Sequence, residues 1–259
     1  LQFLTATDAN GNMSSCTPTV TVLDTVSPSA VCQNITAYLD GTGNVTIAGS
    51  DLDGGSTDNC SGSLSFGADI TSFTCAEIGA NTITMTVTDP GGNTSNCAST
   101  VTILDTISPT IFCQDITVYL DVTGNVTITS ADVDGGSSDN CGAPTLGIDI
   151  SAFNCAMAGM NTVTLTGTDD SGNMSSCTAT VTVADTTSPV AVCQNITVYL
   201  DGAGAASIVA ADIDGGSSDN CSSVALTADI SSFTCADTGA NSVELTVTDP
   251  SGNAGTCAS

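Results

Sequence analysis

Polar and apolar residues alternate one for one along much of the chain. Asn81-Thr82-Ile83-Thr84-Met85-Thr86-Val87-Thr88 is followed, after Pro90-Gly91-Gly92-Asn93, by Cys97-Ala98-Ser99-Thr100-Val101-Thr102-Ile103-Leu104. A period of two places every second side chain on one face, the pattern of a half-buried strand. Two such runs about a Pro/Gly/Asn turn predict a hairpin. A second hairpin is predicted from 35–39 through Asp40-Gly41-Thr42-Gly43-Asn44 into 45–47. Weaker strands are expected at 64–70 and 73–75, with a loop over 51–59 between. No segment carries helical periodicity over ten or more residues. About seven short strands per 80 residues suggest all-β, immunoglobulin-like β-sandwich domains in tandem.

The pattern repeats. Cys32, Cys113 and Cys193 recur at intervals of 81 and 80, and 19 of 29 positions are identical between 32–60 and 193–221. Self-similarity at a fixed period marks a tandem array. The expected division is 1–23, the closing strands of a preceding repeat; 24–104, repeat 1; 105–184, repeat 2; and 185–259, repeat 3 with its last strand incomplete. The ends being out of phase suggests a window on a longer array, or a chain whose first strand completes the last domain of a neighbour.

A domain this small buries little of its chain and usually needs covalent staples. Four cysteines per repeat allow three pairings. We favour first strand to last, Cys32–Cys97, Cys113–Cys177 and Cys193–Cys257, with local loops closed by Cys60–Cys75, Cys141–Cys155 and Cys221–Cys235. Cys16 is left over. With no CxxC and no His a zinc site is not expected, and disulfides imply an oxidising, extracellular or cell-surface location.

Charge narrows the chemistry. The chain has 27 acidic residues and no Lys, Arg or His, for a net charge of −27. Nothing can neutralise phosphate, so nucleic-acid binding through a basic patch is excluded. A Ser-His-Asp or Cys-His nucleophile and a Schiff-base Lys are excluded for want of the base or amine. Carboxylates alone could serve a glycosidase, but these recur in every repeat, whereas an active site is normally unique; no enzyme is expected. No apolar run is long enough for membrane insertion within this segment. At 41% hydrophobic residues the chain can still form a core.

Thr168-Asp169-Asp170-Ser171-Gly172-Asn173, then Cys177, Val181-Thr182-Val183, Asp185-Thr186-Thr187-Ser188-Pro189-Val190 and Cys193 resemble the hyalin-repeat (HYR) family and the similar tandem units of secreted Bacteroidetes surface proteins. The resemblance covers nearly the whole chain. It implies an immunoglobulin-like fold and an extracellular adhesive or structural role, and brings no catalytic residues. The extra middle cysteine pair and the absence of basic residues depart from the simplest family pattern.

Of the acids only Glu77 and Glu244 are Glu. Asp is the short carboxylate suited to turns and to calcium loops, where six to eight hard oxygens surround the ion. Strand direction puts the linker acid, the 51–59 loop and the hairpin turn at one end of each domain. The expected Ca2+ ligands are Asp24, Asp51, Asp53, Asp58, Asn59 and Asp89 in repeat 1. They are Asp105, Asp132, Asp134, Asp139, Asn140 and Asp169 in repeat 2, and Asp185, Asp212, Asp214, Asp219, Asn220 and Asp249 in repeat 3. The plainer alternative is a set of Asx turns and solvated loop acids. Asn-x-Ser/Thr sequons at Asn12, Asn34, Asn44, Asn93, Asn125, Asn173 and Asn195 could carry glycan in a secretory context; those at Asn59 and Asn220 fall in the calcium loop. The expected function is a structural protein of an extracellular filament or stalk of tandem, calcium-stiffened repeats, its partners copies of itself and glycans. The alternative is a cell-surface adhesin that binds carbohydrate or a partner protein through domain-end loops.

Overall fold

In the computed structural model, residues 3–60, 62–221 and 223–259 are described. The chain divides into two compact units, Leu1–Ile107 and Ser108–Ser259, the second holding two of the sequence repeats. Both are all-β, and the helical turns among the described residues span three or four residues each.

In the first unit the strands are β1 (Leu4–Thr7), β2 (Met13–Cys16), β3 (Ile35–Tyr38), β4 (Asn44–Thr46), β5 (Ser65–Ala68), β6 (Ser72–Thr74), β7 (Gly79–Thr88) and β8 (Thr94–Leu104). β7 and β8 form the long hairpin predicted from the alternation, with Met85 opposite Cys97. The alternation has its physical consequence: Ile83, Met85 and Val87 on one strand and Val101 and Ile103 on the other are fully buried, and the threonines between them face outward or sit half-covered. A four-stranded sheet runs β3-β8-β7-β5 and a two-stranded sheet pairs β4 with β6. This is the tandem, immunoglobulin-like sandwich plan, with the opening strand β3 parallel to the closing strand β8. β1 and β2 form a separate hairpin.

The second predicted hairpin does not form. The 40–44 turn is real: the Asp40 N–H donates to Asn44 O at 2.9 Å, and Gly43 takes φ +74°. It is a corner between sheets, however, because β3 pairs with β8 and β4 with β6. Alternation identifies a strand but not its partner.

The second unit repeats this plan. Its strands are β9 (Ile116–Tyr119), β10 (Asn125–Thr127), β11 (Thr145–Ile148), β12 (Ala152–Asn154), β13 (Gly159–Thr168), β14 (Met174–Ala184), β15 (Ala205–Ser207), β16 (Ala225–Ala228), β17 (Ser232–Thr234), β18 (Glu244–Thr248) and β19 (Ala254–Ala258). Sheet β11-β13-β14-β9 faces β10-β12 across a core of Leu120, Val133, Phe153, Val163, Leu165 and Val181. A second core gathers Ile208, Ile213, Phe233, Val243, Leu245 and Val247. Phe153 is 2% exposed and shares its core with the half-cystines Cys155 and Cys221, so the Phe-x-Cys element brings ring and disulfide together. Tyr38, Tyr119 and Tyr199 are exposed and lie outside the core.

Cys32–Cys97, Cys113–Cys177 and Cys193–Cys257 tie the entry of each repeat to its closing strand. The middle cysteines behave differently. Cys155 of the second repeat is bonded to Cys221 of the third, 66 residues on. The expected local pairs Cys141–Cys155 and Cys221–Cys235 are therefore absent. Cys60–Cys75 is absent too: Cys60 is a free exposed thiol, as are Cys235 and Cys16, while Cys75 and Cys141 are disulfide-bonded. The physical reason is strand direction. Cys155 follows β12 and lies against the 121–125 turn, its Sγ 3.6 Å from Gly124 O. Cys221 lies at the entry of its own repeat, beside the linker residue Asp185. The staple thus joins consecutive repeats.

Gly124 makes room for that staple. Its φ is +73°, and a Cβ there would lie 2.5 Å from Cys155 Sγ and 2.9 Å from Asn220 O. Gly124→Ala is expected to leave each repeat folded while the Cys155–Cys221 bond fails to form, which thiol alkylation and mass mapping would read as two additional free cysteines.

Candidate metal centre

The 185–189 linker leaves β14 and enters the third repeat, so it carries Asp185 past the 212–220 loop. A carboxylate oxygen of Asp185 and one of Asp219 lie within 4.8 Å of each other, with Cys221 beside them. Asn220 completes the group: its Nδ2 donates to Asp185 Oδ1 at 3.3 Å and to Asp121 O of the second repeat at 3.0 Å. Asp185 is only 7% exposed. Among the described residues Asp185 Oδ2, Asp219 Oδ1 and Asn220 Oδ1 are buried and accept no hydrogen bond. Two neighbouring carboxylates, with the desolvated amide of Asn220 beside Asp185 and no Lys, Arg or His anywhere in the chain, leave negative charge uncompensated. Cys221 is oxidised and offers no thiolate, so the donor set is oxygen only. That suits a hard divalent cation, with backbone carbonyls and water completing the six to eight positions of Ca2+.

The other expected ligands of the third repeat are occupied elsewhere. Asp212 accepts the Val209 N–H at 2.8 Å, closing a helical turn. Asp214 accepts the Ser217 N–H at 2.8 Å. Asp249 is buried in the hairpin turn and takes both the N–H and the Nδ2 of Asn253, whose Nδ2 also reaches Asp185 O. The acids of the Asp-x-Asp-Gly-Gly-Ser stretch therefore serve local caps, and the buried oxygens without a hydrogen bond belong to the Asp-Asn that follows it.

The earlier repeats divide in the same way. Asp24, Asp58 and Cys60 lie together in the first unit, and Asn93 donates to Asp24 O at 3.1 Å and to Asp89 Oδ2 at 2.8 Å. Asp51 accepts from Ala48 and Asp53 from Ser56. The Asn59 amide nitrogen donates to the Asp58 carboxylate, 3.1 Å from Oδ1. A hydrogen bond to the Asp24 carboxylate, then desolvation and the charges of Asp24, Asp58 and Asp89, push the Cys60 thiol above its ordinary value. In the second repeat Asp132 caps Thr129, Asp134 accepts from Ser137 and Asp169 from Asn173. Asp139 Oδ1 is buried without a hydrogen bond among the described residues, and Asn140 donates to Cys141 Sγ. Asp105 is buried, its Oδ1 accepting the Ile107 N–H.

Several sequons are structurally committed. Asn93 and Asn173 are half-buried and bonded to Asp89 and Asp169, so glycan there would break the hairpin turn. Asn12 likewise bonds Asp8. Asn34, Asn44, Asn125 and Asn195 are exposed, though Asn34 Oδ1 accepts the Thr100 N–H and the amides of Asn44 and Asn125 donate to Thr42 and Thr123.

The turn acids carry a pH signature. The Asn93 amide holds the Asp89 carboxyl below the ordinary aspartate value of 3.8. The Ser137 and Ser217 hydroxyls do the same for Asp134 and Asp214. A depressed folded-state pKa gives stability that is complete above the unfolded value and lost as pH falls through the folded one. The midpoint of thermal unfolding, followed by circular dichroism in a metal-free buffer, is expected to hold steady from about pH 7 to 5 and to drop below about pH 4.

No family model matches the chain and no curated protein does, so the hyalin-repeat resemblance is carried by its motifs alone. Among solved structures the chain is similar to titin domains I67-I69 (an E-to-A variant), at 11% identity and TM-score 0.41, over 89% of this chain and 96% of that one. It is also similar to protocadherin gamma B7 cadherin domains 1-4, at 11% identity and TM-score 0.36, over 90% and 75%. A third is Sidekick-1 immunoglobulin domains 1-4, at 11% identity and TM-score 0.35, over 70% and 57%. None is close enough to speak about function. No helix among the described residues is long and apolar enough to cross a membrane.

Proposed function

We propose that the chain is the structural segment of an extracellular filament or stalk, a tandem array whose joints are fixed by disulfides and by calcium. One observation carries this reading. At the joint between the second and third repeats a covalent bond and buried oxygens without hydrogen bonds occur together, Cys155–Cys221 beside Asp185, Asp219 and Asn220. A joint built only to link domains needs neither. Calcium supplies the positive charge that the sequence lacks, and turns mutually repelling domain ends into a stiff connection. Within the chain, Asp185 and Asp219 would hold the ion by carboxylate oxygens and Asn220 by its amide oxygen, while the Asn220 Nδ2 keeps its bond to the second repeat. Disulfide bonds support an oxidising, extracellular setting for the array.

Electron microscopy of the native material before and after EGTA tests this. Long filaments that soften or fragment on chelation are expected. Filaments indifferent to EGTA would remove calcium from the mechanism, and discrete short particles in both conditions would overturn the filament itself.

A further inference from the structure

Cys221 is the third corner of the group formed by Asp185 and Asp219: its Sγ and one oxygen of each carboxylate all lie within 4.8 Å of one another. Each carboxylate has one oxygen engaged and one to spare. Asp185 Oδ1 accepts the Thr187 N–H at 3.1 Å and the Asn220 Nδ2 at 3.3 Å, and Asp219 Oδ2 accepts the Cys221 N–H at 2.9 Å. Asp185 Oδ2 and Asp219 Oδ1 are buried and accept no hydrogen bond among the described residues. A carboxylate oxygen without a donor, on a residue only 7% exposed, costs free energy that a bound cation would recover.

While Cys221 is bonded to Cys155, its sulfur is a poor donor and the set is hard. Opening that bond changes the set without dispersing it, because all three members belong to the third repeat. The linker is held to the loop by the paired backbone bonds of Val190 and Ser218, at 2.8 and 3.1 Å. It is held to the hairpin turn by Asn253 Nδ2 on Asp185 O at 3.0 Å. The Cys221 N–H on Asp219 keeps the sulfur beside its carboxylate. Cys155 comes from the second repeat, and its departure takes away no oxygen. A thiolate then stands where a disulfide sulfur stood. Two carboxylate oxygens and one thiolate suit a thiophilic divalent cation of the zinc type, which takes few ligands and accepts sulfur. They suit Ca2+ poorly, since it takes six to eight oxygens.

We propose that the Cys155–Cys221 disulfide selects the ion at this joint. Closed, it leaves an oxygen site for a hard cation; opened, it creates a site for Zn2+ or a similar soft divalent cation, held by Cys221 Sγ, Asp185 and Asp219. A small thiol opens it. One thiolate attacks Cys155 Sγ, forms a mixed disulfide there and expels Cys221 as thiolate. A second small thiolate attacks the mixed disulfide, leaves as the small disulfide and releases Cys155. Two electrons pass from the two small thiols to the protein disulfide, and their two protons end on Cys155 and Cys221. The cation then displaces the Cys221 proton to solvent. Neither a CxxC pair nor a His announces such a site in the sequence, because its donors come from a linker and a distant loop. The proposal goes beyond the calcium reading and shares with it only the two carboxylates.

The test uses the 259-residue chain with the exposed thiols Cys16, Cys60 and Cys235 replaced by serine. Cd2+ is the probe, because its bond to thiolate gives an ultraviolet charge-transfer band. With Cys155–Cys221 intact, no band is expected. Cys155→Ser should give a band that saturates at one ion per chain, and Cys221→Ser added to it should remove the band. Asp185→Asn with Asp219→Asn, added instead, should raise the half-saturating Cd2+ concentration by at least about tenfold. A second readout needs no folded variant. In the unsubstituted chain, opened in steps by reduced glutathione, Cd2+ should shield Cys221 from alkylation and leave Cys155 exposed to it. No band with Cys155→Ser, a band indifferent to the two Asp→Asn changes, or equal shielding of Cys155 and Cys221 would each overturn the proposal. The calcium reading falls separately, if Ca2+ leaves the melting temperature of the disulfide-intact chain unmoved.

Discussion

Replacing Cys113 and Cys177 together by alanine is expected to cost the second repeat about 4 kcal/mol, the chain-entropy value for a closed loop of 64 residues. Net domain stability is of the order of 5–15 kcal/mol, so this removes a large part of it. The bond ties the entry segment to β14, the strand that fills the middle of the sheet. Without it, the parallel β9–β14 pairing has to be held by its short run of hydrogen bonds and by Val181, Val183 and Leu120 alone. Urea unfolding followed by circular dichroism should show an early transition absent from the parent. Replacing Cys155 and Cys221 tests the contrast. That pair joins repeats and lies at the edge of the second repeat's core, so the transition should broaden or split while each repeat keeps its own fold. An equal loss from both double substitutions would mean that the repeats do not fold as separate cooperative units.

Asp219→Asn is expected to change sign with calcium. Without a divalent cation, Asp185 and Asp219 oppose each other across less than 4.8 Å in a place from which water is largely excluded, and removing one charge relieves that repulsion. The substituted chain should then melt above the parent in EGTA. With calcium saturating, the parent gains about 2.7 kcal/mol at a hundredfold excess over its dissociation constant, and the variant with one fewer charged ligand gains less. The order of the two melting temperatures should invert. Two scans per protein decide the matter, and an Asp219→Asn chain that melts at the same temperature as the parent in both buffers would reduce the pocket to an ordinary pair of turn acids. Asp214→Asn is the control: its carboxylate serves Ser217, so its effect should be the same in both buffers.

The long hairpins were legible in the sequence because strict alternation over 81–88 and 97–104 admits one exposed and one buried face and no other reading. The partner of β3 was not, since Ile-Thr-Ala-Tyr alternates equally well beside β4 or beside β8, and only burial on two sides at once distinguishes them. The direction argument put the linker acid and the 51–59 loop at one end, and in the third repeat Asp185, Asp219 and Asn220 do stand together. It also contained the correction to the cysteines. If β4 descends, its antiparallel partner β6 rises, and the cysteine that follows it must stand at the end opposite to the one after Asp-Asn. Cys155 thus faces the third repeat and Cys221 the second. Nothing in composition could tell the capping acids Asp212 and Asp214 from the pocket acid Asp219. All three sit among Gly, Ser and Asn, and only the hydrogen bonds their oxygens receive separate them. The bond from Asn220 to the preceding repeat was invisible for the same reason.

The linker between Cys177 and Cys193 is one covalent route from the second repeat to the third. Cys155–Cys221 is another, and it passes around the linker altogether. A protease that severs the backbone between Asp185 and Pro189 therefore leaves the two repeats tethered, and tension applied along the chain is divided between two strands at that point, as in a doubled rope. With neither Lys nor Arg to offer a trypsin-like enzyme, a chain built this way tolerates damage in the medium it is exposed to: one cut does not part it.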